Sequence, residues 1–266
     1  MRKSPREREW ERLLAEERNF VSKGSRQNET YLGRLLADKV PQQLQSTLDA
    51  AFSKAFNLIF EKGTGIIEKT YKKEDLEHQF KINAYSAELR ENKKTLGAFR
   101  RQSNTVSAKN LLLSGVEGIG LGALGIGLPD IPIFVGVLLK SVYEIALNWG
   151  YTYDTPEEKY FILKVIETSL SHGRCLIEGD RKINEFIEEP SLPMEYSQSV
   201  QIDQTSATMS GELLYLKFLQ GIPIVGAVGG AYNTVYLQKV LRYAKLKYHR
   251  RFLVDTSGAR RPDDAC

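Results

Sequence analysis

Two short stretches limit what this chain can fold into. The first, "GVEGIGLGALGIGLPDIP" from Gly115 to Pro132, packs six glycines into thirteen residues and ends with two prolines around Asp130. The second, "GIPIVGAVGGAYN" from Gly221 to Asn233, repeats the plan in shorter form. Ile131-Pro132-Ile133 corresponds to Ile222-Pro223-Ile224. Each triplet is followed by a glycine and a long apolar helical pattern. A proline there pre-sets the first helical turn. Gly118 and Gly122 stand four apart, as do Gly226 and Gly230. Small residues at that spacing let two helix backbones come close. The expectation is an all-α chain built round two glycine-rich helical hairpins, with these four glycines at helix-packing or membrane contacts.

Two other uses of the glycines fare worse. Gly120, Gly122 and Gly125 match the G-x-G-x-x-G pattern of dinucleotide binding. That pattern needs a strand before it and a sustained helix after it. Pro129 and Pro132 follow too soon for such a helix, and no Gly-Lys-Ser or Gly-Lys-Thr of a P-loop occurs. Ile119 to Leu139 is 21 residues with a single charge, long enough on paper to cross a hydrocarbon core. Asp130 near its middle opposes a straight span. A hairpin dipping into one leaflet stays open, as does a plain soluble core. Asp130 itself reads as the N-cap of a helix starting at Ile131 or Pro132.

The remaining signals are helical too. Ser4 and Pro5 start one helix, which ends before Gly24. Another runs from Pro41 to Lys62, and a basic, polar one from about Lys73 to Arg101. In "YDTPEEKYFILKVIETSL", Thr155 reads as N-cap, Pro156 as first helical residue and Glu158 as the returning carboxylate of a capping box. Further helices are expected from about Cys175 to Glu189, from Gln198 to Gln220 and from Pro223 to Val254. No pair of alternating apolar runs is joined by a hairpin turn. The resulting division is an N-terminal helix over 1–30, one helical domain over 31–254 and a disordered tail over 255–266.

Charge placement suggests the surfaces. Lys140, Glu144 and Asn148 recur every four residues on one helix and, with Asp130, make a polar seam or partner contact. From Lys239 to Arg251 there are six basic residues and no acid. Lys239, Arg242, Lys245, Arg250 and Arg251 therefore read as a basic surface suited to an anionic membrane or an acidic partner. A nucleic-acid role is disfavoured, because no helix-turn-helix, RRM or KH signature accompanies them.

Catalytic and metal chemistry find little support. His78, His172 and His249 show no zinc-ligand spacing. "SHGRC", Ser171 to Cys175, reads as a helix end rather than a nucleophile with its base. No cofactor is implied. Only Cys175 and Cys266 occur, which suits a reducing compartment, and "RKSPREREWERLL" has no apolar signal core.

The stretch "GLPDIPIFVGVLLKSVYEIALNWGYTYDTPEEKYFILKVIE" resembles the central signature of the EcsC family of bacterial proteins. In that signature Asp-x-Pro precedes a helix that ends in an aromatic-glycine pair, here Trp149-Gly150-Tyr151, and Pro-Glu-Glu follows. "GIPIVGAVGGAYNTVYLQKVLRYAKLKYHRRFL" is similar to the family's second glycine-rich block, with Asn233 and the closing Arg251-Phe252-Leu253. The likeness runs from about Tyr31 to Leu253. The family takes its name from a gene found beside an ABC transporter, and the resemblance brings no catalytic residue with it. The expected function is a non-enzymatic accessory protein, cytoplasmic and peripheral on the inner face of the membrane, meeting lipid or a membrane protein and linked to a transport system. The alternative is a soluble helical carrier of a lipid or other apolar ligand.

Overall fold

The computed structural model describes residues 3–26, 40–62, 72–89, 91–105, 130–219 and 231–259. Every regular element among them is helical: α1 Pro5–Ser25, α2 Gln42–Lys62, α3 Lys73–Leu89, α4 over 93–105, α5 Asp130–Asn148, α6 Pro156–Leu170, α7 Gly173–Glu188, α8 Gln198–Leu219 and α9 Ala231–Val254. A π-helical turn, Asp255–Ala259, closes the described chain.

Local chemistry sets the helix ends. Ser4 caps α1, accepting from the Glu7 backbone N–H while the Glu7 carboxylate takes that of Ser4. The basic stretch expected as one helix from Lys73 to Arg101 is two. Asn92 starts α4 by accepting from the backbone of Lys94 and Thr95 at 2.8 and 3.1 Å, and its own N–H donates to Thr95 Oγ1. At the end of α5, Gly150 takes φ +85°, its N–H bonds the Leu147 carbonyl, and Tyr151 N–H returns to Ala146. This left-handed glycine cap is the Schellman arrangement. It turns the chain so that Tyr151 and Tyr153 fold back on the bundle.

Thr155 caps α6 as expected, accepting from the Glu158 N–H at 3.2 Å. The expected return of the Glu158 side chain is not made. Its carboxylate lies 2.5 Å from the Arg251 guanidinium instead. A charge-assisted contact to Arg251 is stronger than one to a neutral backbone N–H. The tail also differs from expectation, since Asp255–Ala259 is ordered helix and Asp255 accepts from the Tyr151 hydroxyl at 2.6 Å.

One core joins all these elements. Trp149 stacks on His249 at 4.6 Å and on Phe99 at 5.6 Å, and Phe252 leans on both Phe99 and Trp149. α5 supplies Val135, Leu138, Val142 and Ile145, all fully buried. The 18 residues Ile131–Asn148 could span a membrane by length and composition, yet 72% of that window is buried within the protein. α1 belongs to this core through Leu13 and Phe20, so a boundary at residue 30 divides no packing unit.

Candidate functional site

Helix directions follow from contacts along their lengths. Phe134, near the start of α5, meets Tyr236, near the start of α9, edge-on at 5.4 Å. At the other ends Trp149 meets His249 and Phe252. α5 and α9 are therefore parallel. The chain enters them at residues 130 and 231, immediately after the two glycine-rich stretches, at the same pole of the bundle. α1 runs the opposite way to α9, since Arg6 reaches the Leu253 carbonyl and Phe20 packs on Tyr243. α4 is also antiparallel to α9, with Phe99 against Phe252 and Asn104 accepting from Lys245. α6 is antiparallel to it as well, with Glu158 on Arg251 and His172 beside Lys239. α2 and α8 oppose one another through Gln45 to Ser210 and Ser53 to Asp203. α5 and α9 thus begin at the pole where α1, α4 and α6 end.

Beneath this pole lies a buried polar cluster. His172, between α6 and α7, puts Nε2 2.6 Å from Glu212 Oε2, and Lys239 Nζ donates to Glu212 Oε1 at 2.9 Å. Burial pushes the Glu212 carboxyl up, but the His172 hydrogen bond and the Lys239 charge outweigh it and hold the group below the usual carboxylate range. An ionised carboxylate only accepts, so His172 Nε2 carries the proton that is shared. Its Nδ1 is buried with no partner among the described residues. Nearby, Ser210 and Gln45 both donate to Asp49, and Tyr236 donates to the Met209 carbonyl at 3.1 Å. These bonds tie the starts of α2 and α9 to α8 and to the α6–α7 junction. The cluster is an ionic clamp. Among the described residues no group of three or more His, Cys, Asp and Glu side chains is placed to hold a metal ion.

The residues singled out by sequence are distributed unevenly. Gly118, Gly122, Gly226 and Gly230 lie outside the described residues, as do the hairpins they were expected to form. Asp130 is the first residue of α5 rather than the residue before it. Lys140 is half-buried, and Glu144 and Asn148 are buried. Asn148 donates to the Phe99 carbonyl at 2.9 Å, so that end of the seam is an internal contact rather than a partner surface.

The basic surface is also corrected. Only Arg242 of the five is exposed; Lys245 is half-buried. Lys239 is held by Glu212, Arg250 by Glu17 at 2.8 Å and Arg251 by Glu158. Lys247, another of the six basic residues between Lys239 and Arg251, is 0% exposed and bonded to Glu17, Asp180 and Asn184 at 2.8–2.9 Å. A buried ammonium requires such partners. One signal pointed to it. Glu9, Leu13, Glu17 and Phe20 share the buried face of α1, and a carboxylate on an apolar stripe needs a cation opposite. No comparable signal marks the pairing of His172 with Glu212, forty residues apart.

The class defined by this architecture is an all-helical bundle with both glycine-rich stretches leading into one pole. The EcsC protein family model matches residues 6–253, and the chain belongs to that family. The match begins in α1, well before the expected start near residue 31. Protein EcsC of Bacillus subtilis (strain 168) is 25% identical over 170 residues, which cover 59% of this chain and 66% of the relative's length. No solved structure matches the chain.

Proposed function

We propose that this protein is a non-enzymatic accessory factor at the cytoplasmic face of a membrane, and that the pole into which both glycine-rich stretches lead is the end that meets lipid or a helical membrane partner. The parallel course of α5 and α9 supports the reading, because the chain enters both helices at one end of the bundle, directly after the two apolar sequences. Those two sequences, "IGLGALGIGLP" and "GIPIVGAVGGA", are apolar and carry no charged side chain. Long-range attraction from basic residues contributes less than the sequence suggested, since most of the α9 cations are neutralised by buried acids.

The test is flotation of the full chain with vesicles of phosphatidylglycerol and phosphatidylethanolamine across a salt series. Binding is expected to persist at high salt and to fall when Leu121→Glu or Ile224→Glu is introduced. Absence of flotation at every salt concentration would overturn the assignment. A link to a transport system predicts co-purification with transporter subunits from solubilised membranes, and the soluble-carrier alternative predicts a bound lipid in native mass spectrometry of cytosolic protein.

A further inference from the structure

The opposite pole carries a groove of about 510 Å³, inside the usual range for small-ligand sites. It lies between the start of α6, the end of α7, the 189–197 connection and the start of α8. Tyr160, Phe186 and Tyr196 line it. Tyr160 packs on Phe186 at 5.1 Å and meets Tyr196 edge-on at 5.4 Å. A few aromatic rings elsewhere in the described molecule lie under the chain's own cations: Arg251 lies over Tyr151 and Phe161, Arg250 over Trp10 and Arg242 over Phe20. No such cation is described over the three rings of the groove.

The charged side chains lining the groove set the sign of a ligand that fits it. The two lysines of the groove are engaged, Lys164 with Glu167 at 2.8 Å and Lys182 with Glu178 at 3.8 Å. Glu185 is paired with Arg181. Glu189 and Glu195 also line the groove as exposed carboxylates, with no ion-pair partner among the described residues. The half-buried Tyr196 ring, backed by the buried Tyr160 and Phe186 and flanked by two exposed carboxylates, is complementary to a cation with an apolar surface. We infer that this groove binds a small organic ammonium ion, with Tyr160, Phe186 and Tyr196 against its alkyl surface and Glu189 and Glu195 balancing its charge. The ligand is taken to be free in solution, since the groove lies at the pole opposite the starts of α5 and α9. The inference is independent of membrane binding.

Calorimetric titration of the full chain with choline, beside its uncharged isostere dimethylbutanol, tests this directly. Saturable choline binding is expected, with the isostere weaker by about threefold to thirtyfold, the range of a cation–aromatic contact. Tyr196→Ala and the pair Glu189→Gln with Glu195→Gln should each lose a similar factor, while Tyr196→Phe retains binding. Circular dichroism establishes that each variant is folded. No saturable binding by either choline or benzyltrimethylammonium overturns the proposal. So does equal binding of the isostere, or binding indifferent to these substitutions. Flotation with phosphatidylcholine vesicles separates a headgroup from a free ligand: recruitment that Tyr196→Ala abolishes overturns the free-ligand assignment.

Discussion

Replacing Glu17 by leucine probes a buried ion network in the bundle. Glu17 receives Lys247 on one oxygen and Arg250 on the other, both at 2.8 Å. After the change Lys247, with no exposed surface, keeps Asp180 and Asn184, whereas Arg250 keeps only Glu188 at 3.9 Å and the Trp10 ring. Breaking a buried pair costs about 3–5 kcal/mol, and the acceptors left to Lys247 place this case near about 3 kcal/mol. At about 2–4 °C per kcal/mol for a chain of this size class, Tm should fall by about 6–12 °C. Urea titration and calorimetry measure both quantities. Adding Lys247→Met should cost less than the sum of the single changes, because both remove the same Lys247–Glu17 ion pair. Salt should leave the difference intact, while Glu16→Leu, which breaks the exposed Arg12–Glu16 pair, should change little. A loss under about 1 kcal/mol, or strict additivity in the double variant, refutes the claim that α1 is anchored by buried charge.

Three further outcomes follow from the same packing. Burial pushes His249 down to about 3, helped by Arg100 and Arg12, so the folded state binds its proton more weakly than the unfolded state does. Stability should therefore decline as pH falls from about 6.5 towards 3, and His249→Phe, which keeps a ring on Trp149, should flatten that part of a pH–stability curve. Gly150→Ala should lower Tm well beyond a helix-propensity effect, because φ is +85° and the new Cβ would run into the Phe80 ring; an unchanged Tm contradicts the cap geometry. Phe99→Ala, at a fully buried ring touching Trp149, Phe80 and Phe252, should cost about 3–5 kcal/mol by denaturant titration.

Short-range chemistry was legible in the sequence and long-range pairing was not. The Ser4-Pro5 and Thr155-Pro156 starts need only neighbouring residues, and both stand where they were expected. The break before α4 was missed because Asn92 sits in a polar run whose helical pattern continues past it. The α9 cations were misjudged for a different reason. Their neutralising acids, Glu17, Glu158, Asp180 and Glu212, come from four other places in the chain. A count of local charge cannot register them. The shared pole of α5 and α9 depended likewise on contacts between distant rings, although the repeated Ile-Pro-Ile entry already linked the two helices.

α9 touches α1, α4, α5, α6, α7 and α8, yet it is the last of these to be synthesised. A nascent chain emerging from a ribosome has already committed Glu17, Glu158, Asp180 and Glu212 to water before their cations exist. Packing among α2, α5, α6 and α8 needs no part of α9, but the ion pairs that close the bundle do, so a premature stop before residue 231 leaves those four carboxylates without their cations.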